Sequence, residues 1–550
     1  MKRSMVAKIA AGFTAAVFAI GMAGCSSSGS GGASKLLTIA VASGPQIKNN
    51  NPFVGTSAAV SMGYGSLMYE PLAQTNLTRP DTAPVPWLAS SFKWATDYKS
   101  VVITARDGVK WSDGQAFSAK DIAYTFSLIK KTPAFNVSGL PLKGISTSGK
   151  TVTITFSASQ FVNQLKVLNT FIVPEHIWSK ISDPTRNVNA QPVGTGPYQL
   201  KTWTQQAVTM TPNNSYWGGK PPVPVVRYSS YNDNSSVLAG LLSGAVQWTY
   251  IFIPNIEETY ISKSSTNNAY LPTGLGIDAL WLNTAKAPFD NVALRKAINM
   301  VIDRNAVHVH GFSGFKGLVD TVTGLPTPAG DAFTAANYNG KKATVDVAGA
   351  KKVLTDAGYT YKGSVLIDPK GAPVTFTMID PAGWSDYLQS LQIIASNVDK
   401  IGITAKVDTA TVEAWSSAVH KGQFQATLSW TNTGSTPWEI YSNIMDGQYL
   451  KPIGADAQWN FGRFQSPEAT KFLYDYANTT SAAERTKALD GLQKIMVEQV
   501  PVIPLASGPT GGEYSTKYWT GFPTEKNPYA LATGGGPSVS QVIMKLRPVK

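Results

Sequence analysis

At 550 residues, with 47 Lys and Arg against 34 Asp and Glu and a formal charge of +13, the chain is too long for one hydrophobic core and is expected to fold as two or three lobes. Its basic residues are scattered rather than clustered, which argues against a nucleic-acid-binding stripe and fits mild attraction to an anionic cell surface. One cysteine, Cys25, excludes an intrachain disulfide, a CxxC metal or redox site and a cysteine nucleophile further along.

The chain opens on Lys2, Arg3 and Lys8, followed by an uncharged apolar run of 14 residues from Ile9 to Met22. A bilayer span needs about 20 residues, so the run reads as a signal peptide over residues 1–24. Met22-Ala23-Gly24-Cys25 looks like a bacterial lipobox, with Met where Leu is usual, and makes Cys25 the expected lipidation site. The Ser/Gly stretch behind it, within residues 25–34, is expected to tether the lipid anchor to the folded body.

Leu36–Val41 reads as a buried strand before the loop Asn49-Asn50-Asn51-Pro52-Phe53. Residues 99–104 form a second strand candidate, ended by Arg106-Asp107-Gly108. Ser118-Ala119-Lys120-Asp121 then has the pattern of a capping box, and Ile122, Phe126 and Ile129 repeat at helical spacing behind it. Helices are also expected over 237–244 and 292–301 and after the caps Ser466 and Ser481. Pro501 and Pro504 frame a short strand at Val502-Ile503. The pattern is mixed α/β, without TIM-barrel alternation, a Rossmann glycine fingerprint or an internal repeat.

Arg106-Asp107-Gly108-Val109-Lys110-Trp111-Ser112-Asp113-Gly114, running on to Asp121, resembles the signature of the family 5 solute-binding proteins of bacterial ABC importers. Further blocks follow in the family's order: 174–178, 192–198, 214–221, 241–248, 287–291, 295–298, 302–304 and 348–359. The resemblance implies a periplasmic-binding-protein-like fold of type II, cluster C-like, with two lobes around a cleft plus an extra domain. Lobe I would take residues 35–72, 191–283 and 505–550, extra domain II 73–190, and lobe III 284–504, with crossings near Asn283 and Leu505 as the hinge. It also implies capture of an oligopeptide or oligosaccharide, delivery to an ABC permease with its ATPase subunits, and action as a lipid-anchored monomer on the outer face of the cytoplasmic membrane.

Enzyme readings find little support. The four histidines, His176, His308, His310 and His420, include one His-x-His pair, short of a zinc ligand set, and no HExxH, GxSxG or P-loop spacing is present. The expectation is a binding protein with no catalytic residues, cofactor or metal. With 14 Trp, 22 Tyr and 21 Phe, aromatic surface for a sugar or peptide cleft is available.

By the resemblance, ligand contacts would come from Asn51 and Phe53, from Trp248, and from the segment Trp430 to Tyr441 with Thr433 and Trp438. Peptide-binding members place an Asp three residues after that Trp to meet the peptide's α-ammonium, where this chain has Thr433 between Trp430 and Pro437. A hydroxyl cannot replace a buried carboxylate there. Similarity to a subgroup taking β-linked oligosaccharides rests on Asn50–Phe53, Thr436-Pro437-Trp438, Asn460-Phe461-Gly462-Arg463 and 525–530, and adds Asn460 and Arg463 to the candidates. The ligand stays open between peptide and sugar.

Overall fold

A computed structural model describes residues 36–76, 82–434, 436–508 and 510–549. Cys25 and the segment before it lie outside these residues.

Leu36–Val41 becomes the middle of a seven-stranded mixed sheet because its apolar residues are buried between neighbours on both sides. It pairs parallel with Val225–Ser230 and with Trp248–Thr249. Beyond these come Ala207–Pro212 and Tyr198–Trp203 on one flank, and Gly512–Ser515 and Asn267–Tyr270 on the other. The second sheet has six strands in the order Gly317–Leu318, Val502–Ser507, Asp278–Leu282, Ala426–Trp430, Thr375–Pro381, Thr404–Ala410. Helices cover both of its faces, so the alternation along Asp278–Leu282 sorts apolar residues between two cores. Leu280 and Leu282 pack with Met378 and Ile394, while Ala279 and Trp281 pack with Trp415, Tyr441 and Leu492.

In chain order, a separate four-stranded antiparallel sheet is inserted between Leu36–Val41 and Tyr198–Trp203: Ala89–Trp94, Ser100–Ala105, Thr151–Phe156, Leu142–Ser148. Helix Ala119–Lys131 packs on it through Ile122 and Phe126, while Ile129 joins the core of the first lobe. Its start is the capping box read from the sequence: the Ser118 amide donates to Asp121 Oδ2 at 2.8 Å, and Ser118 Oγ accepts from the Lys120 amide.

The chain passes between the two large sheets twice. It leaves the first after Tyr270 and enters the second at Asp278, then leaves the second after Ser507 and re-enters the first at Gly512. The expected hinges near Asn283 and Leu505 are therefore displaced, because Asp278–Leu282 and Val502–Ser507 are both interior strands of the second sheet. The two crossings are tied together, with the Thr510 amide donating to the Pro272 carbonyl at 2.8 Å and Ser507 Oγ to that of Gly274 at 3.1 Å.

Just inside the first crossing, Asp278 meets Lys316 (Nζ–Oδ1 3.3 Å), which also pairs with Asp386 (3.2 Å). Their side chains are only 8, 4 and 8 % exposed for Lys316, Asp278 and Asp386. Tyr387 donates to Asp278 as well. Burial opposes the ammonium, but the two carboxylates outweigh it and hold the Lys316 pKa above the usual lysine value.

Candidate functional site

A cleft of about 1120 Å³ separates the second lobe from the extra domain and the early loop of the first lobe. One wall is built from residues 430–434, Thr436, Trp438 and Glu439, between the end of strand Ala426–Trp430 and the start of helix Trp438–Met445. The other is built from Pro52 and Phe53, helix Ala119–Lys131 at Ile129, the loop around Phe135, and the stretch 161–171 that contains helix Gln164–Leu168.

Trp430 is the most open aromatic of the wall, 43 % exposed. It is backed by two further tryptophans, Trp415 at 5.9 Å and Trp384 at 6.0 Å between ring centroids, which lie 4.9 Å from each other. Trp415 is pinned by donating its indole N–H to Thr427 Oγ1 at 2.9 Å. Opposite, Phe53 stacks on Phe135 at 5.0 Å and meets Trp178 edge-on at 5.6 Å. Such rings offer flat apolar faces to a ligand while their packing fixes the orientation.

Thr433 lines the cleft and also touches the first crossing. A Cβ at Gly276 would stand 2.5 Å from Thr433 Oγ1, and one at Gly274 2.6 Å from its Cγ2, so both positions need glycine for this close approach. Trp438 lines the cleft, and its N–H donates to the Leu473 carbonyl at 3.0 Å.

Five of the expected ligand residues do not line this cleft, and each has a structural occupation instead. Asn51 is fully buried, donates to the carbonyls of Pro184 and Asn187, and accepts from the Phe53 amide, so it shapes the loop that presents Phe53. Trp248 is fully buried under Phe522 and donates to the Ala532 carbonyl at 2.7 Å. Tyr441 is buried and donates to the Thr323 carbonyl. Asn460 and Arg463 both have positive φ, 51° and 55°, in one tight turn. Asn460 brackets the turn by donating to and accepting from Phe464, and Arg463 donates to the carbonyls of His420 and Ala455. Backbone partners on this scale consume the polar atoms that a ligand would need.

Sequence reasoning missed the extra domain's contribution: Phe135, Phe161, Phe171, Asn169 and Lys166 all face the cleft. Glu439 lies within the expected segment 430–441 without having been singled out, and its carboxylate is 3.4 Å from Lys166 Nζ. Neither residue sits in a local pattern that marks a site, because their pairing exists only once the two walls meet. Beyond this pair the walls touch directly: the Ser159 amide donates to Asn478 Oδ1 at 3.0 Å, and the Arg485 guanidinium lies 4.5 Å over the Phe161 ring. His308 Nδ1 bonds the Lys316 carbonyl, and among the described residues no group of three or more His, Cys, Asp or Glu could hold a metal ion. Nor is any helix among them long and apolar enough to cross a membrane.

Two mixed lobes joined by paired crossings around a cleft, with an extra domain forming part of one wall, define a type II periplasmic-type binding protein. The chain belongs to the bacterial extracellular solute-binding proteins, family 5, whose middle-region model matches residues 83–449. It is 26 % identical over 455 residues to the glutathione-binding protein GsiB of Escherichia coli (strain K12), covering 79 % of this chain and 82 % of that one. Its fold matches the mannohexaose-bound periplasmic oligopeptide-binding protein of Thermotoga maritima with a TM-score of 0.82 at 23 % identity, over 94 % of this chain and 98 % of that one. It also matches the oligopeptide-binding protein AppA of Bacillus subtilis, solved with a nonapeptide, with a TM-score of 0.79 at 18 % identity, over 94 and 99 % of the two chains.

Proposed function

We propose that this protein is the extracytoplasmic, lipid-anchored substrate-binding component of an ABC importer, capturing an oligopeptide-class solute between its lobes and delivering it to the permease. The observation that carries this reading is the cleft of about 1120 Å³, a volume that suits a ligand of several residues, walled by both lobes and the extra domain. Closure around a solute buries it, and the ligand's contacts with Trp430 on one wall and Phe53 on the other supply the preference for the closed state. The closed form then docks on the permease, and the paired ATPases drive release. Cys25 holds the protein to the outer face of the cytoplasmic membrane.

A second ligand reading, a β-linked oligosaccharide, is favoured by one observation. Thr433 occupies the position where peptide-binding relatives are expected to carry an acid, and it faces the cleft beside the exposed ring of Trp430. A thermal-shift screen of the protein from Ser26 onward against short peptides and β-linked oligosaccharides tests both, since a ligand specific to the folded state raises the melting temperature. A rise with peptides alone supports the first reading and a rise with sugars alone the second. Turnover of either panel by the purified protein would contradict a binding role.

A further inference from the structure

The lining of the cleft is unusual in its charge. Among its described residues are amides and hydroxyls such as Asn169, Gln458, Asn432 and Thr433, yet only two side chains are charged, Lys166 and Glu439. They come from opposite walls, Lys166 from helix Gln164–Leu168 of the extra domain and Glu439 from the first turn of helix Trp438–Met445 of the second lobe. They are 3.4 Å apart, with side chains 21 and 12 % exposed, and Lys166 Nζ also sits 5.5 Å over the Trp438 ring. The next acid that Lys166 feels, Asp446, already accepts from Gln448 and Ser442 and is buried beneath the helix.

We propose that Lys166 and Glu439 are the charge-selecting pair of the cleft: by neutralising each other on closure, they make the protein accept a solute that carries no net charge where it passes between them. The inference rests on the capture reading above and names the ligand's chemistry. A solute ammonium placed against Glu439 would strip Lys166 of its partner, and a solute carboxylate placed against Lys166 would strip Glu439. Either leaves a partly desolvated charge uncompensated, which costs more than a surface pair returns. A free peptide presents one charged end at a time to any point of an extended cleft, so its ends meet the same penalty. A neutral oligosaccharide or an end-blocked peptide does not.

The test uses the full lipid-free protein from Ser26 in wild-type form, as Glu439→Gln, as Lys166→Met, and as the exchange variant Lys166→Glu/Glu439→Lys. Each is incubated with a mixture of short peptides, every one present free, N-acetylated, C-amidated and blocked at both ends, together with cello- and manno-oligosaccharides. Retained ligands are identified by mass spectrometry. Wild type is expected to retain uncharged ligands. Glu439→Gln should shift retention about tenfold towards acetylated anions, and Lys166→Met by a similar factor towards amidated cations, as a difference of about one unpaired charge implies. The exchange variant should restore the wild-type profile, which separates charge selection from misfolding. Identical charge profiles in wild type and both single variants, or retention of free-ended peptides by wild type in preference to blocked ones, overturns the inference while leaving solute capture standing. Retention of nothing by any form removes the capture reading, and this inference falls with it.

Discussion

Replacing Lys316 with Met removes the one cation from a buried group that contains Asp278 and Asp386, with Tyr387 donating to Asp278. The side chains are at most 8 % exposed, so water cannot take over the solvation of the two carboxylates left behind. Removing one partner of such a buried ion pair costs about 3–5 kcal/mol, whereas a surface pair costs at most about 1 kcal/mol. Lys316→Met should therefore lower the stability of the second lobe by the larger amount at pH 7, read as a fall in the urea midpoint followed by tryptophan fluorescence. Adding Asp386→Asn to Lys316→Met should recover part of the loss, because one of the stranded charges is then gone. The Lys316 pKa is raised in the fold, so the stabilisation is fully present below the ordinary lysine value and fades only as pH climbs through the raised one. A loss under about 1 kcal/mol at pH 7, or no recovery in the double variant, would refute the picture of a dry, charge-paired hinge.

Trp430→Ala should weaken binding of whichever ligand the screen finds by about tenfold, with little change in melting temperature, because the ring is half-exposed and offers its face to the cleft. Trp248→Phe should do the reverse, costing about 1–3 kcal/mol of stability by orphaning the Ala532 carbonyl while leaving affinity unchanged in isothermal titration. Thr433→Asp should weaken binding of an uncharged ligand, since such a ligand would bury the new carboxylate without offering it a counter-charge; unchanged affinity would place Thr433 outside the contact surface. Burial raises the Glu513 carboxyl to about 8, so the neutral acid is the form the fold prefers. The wild type should accordingly lose stability relative to Glu513→Gln as pH rises from about 4.5 to about 8 and run parallel to it above, a difference that melting curves across that range would resolve.

Local features were legible because their physics is local. The cap at Ser118, the apolar stripe behind it and the strand at Leu36 each follow from a few neighbouring residues, and the structure forms all three. The residues taken from family resemblance fared differently according to what else the fold demands of them. Phe53, Trp430, Thr433 and Trp438 reach the cleft. Trp248 does not, because the returning C-terminal stretch supplies Phe522 above it and the Ala532 carbonyl beside it, partners that no window around residue 248 reveals. Asn460 carried a legible hint, since Asn tolerates the left-handed backbone of a tight turn, and that points to a structural corner rather than to a ligand contact. The Lys166–Glu439 pair had no signal at all in the sequence, being created by the approach of two domains.

The path of the chain has a mechanical consequence. The first described strand, Leu36–Val41, lies at the centre of one sheet, and the last segment returns to the same lobe, where Arg547–Pro548 pairs with Trp519–Thr520 and the Trp519 indole reaches the Leu36 carbonyl. Both ends of the folded body are thus gathered on one half, and the other half is an excursion of the polypeptide suspended from two adjacent, cross-linked strands. A pull applied at either end therefore enters the first half, and its path along the backbone between the two ends need not load the other half, which adds to these crossings only the contacts across the cleft such as Ser159–Asn478 and Lys166–Glu439.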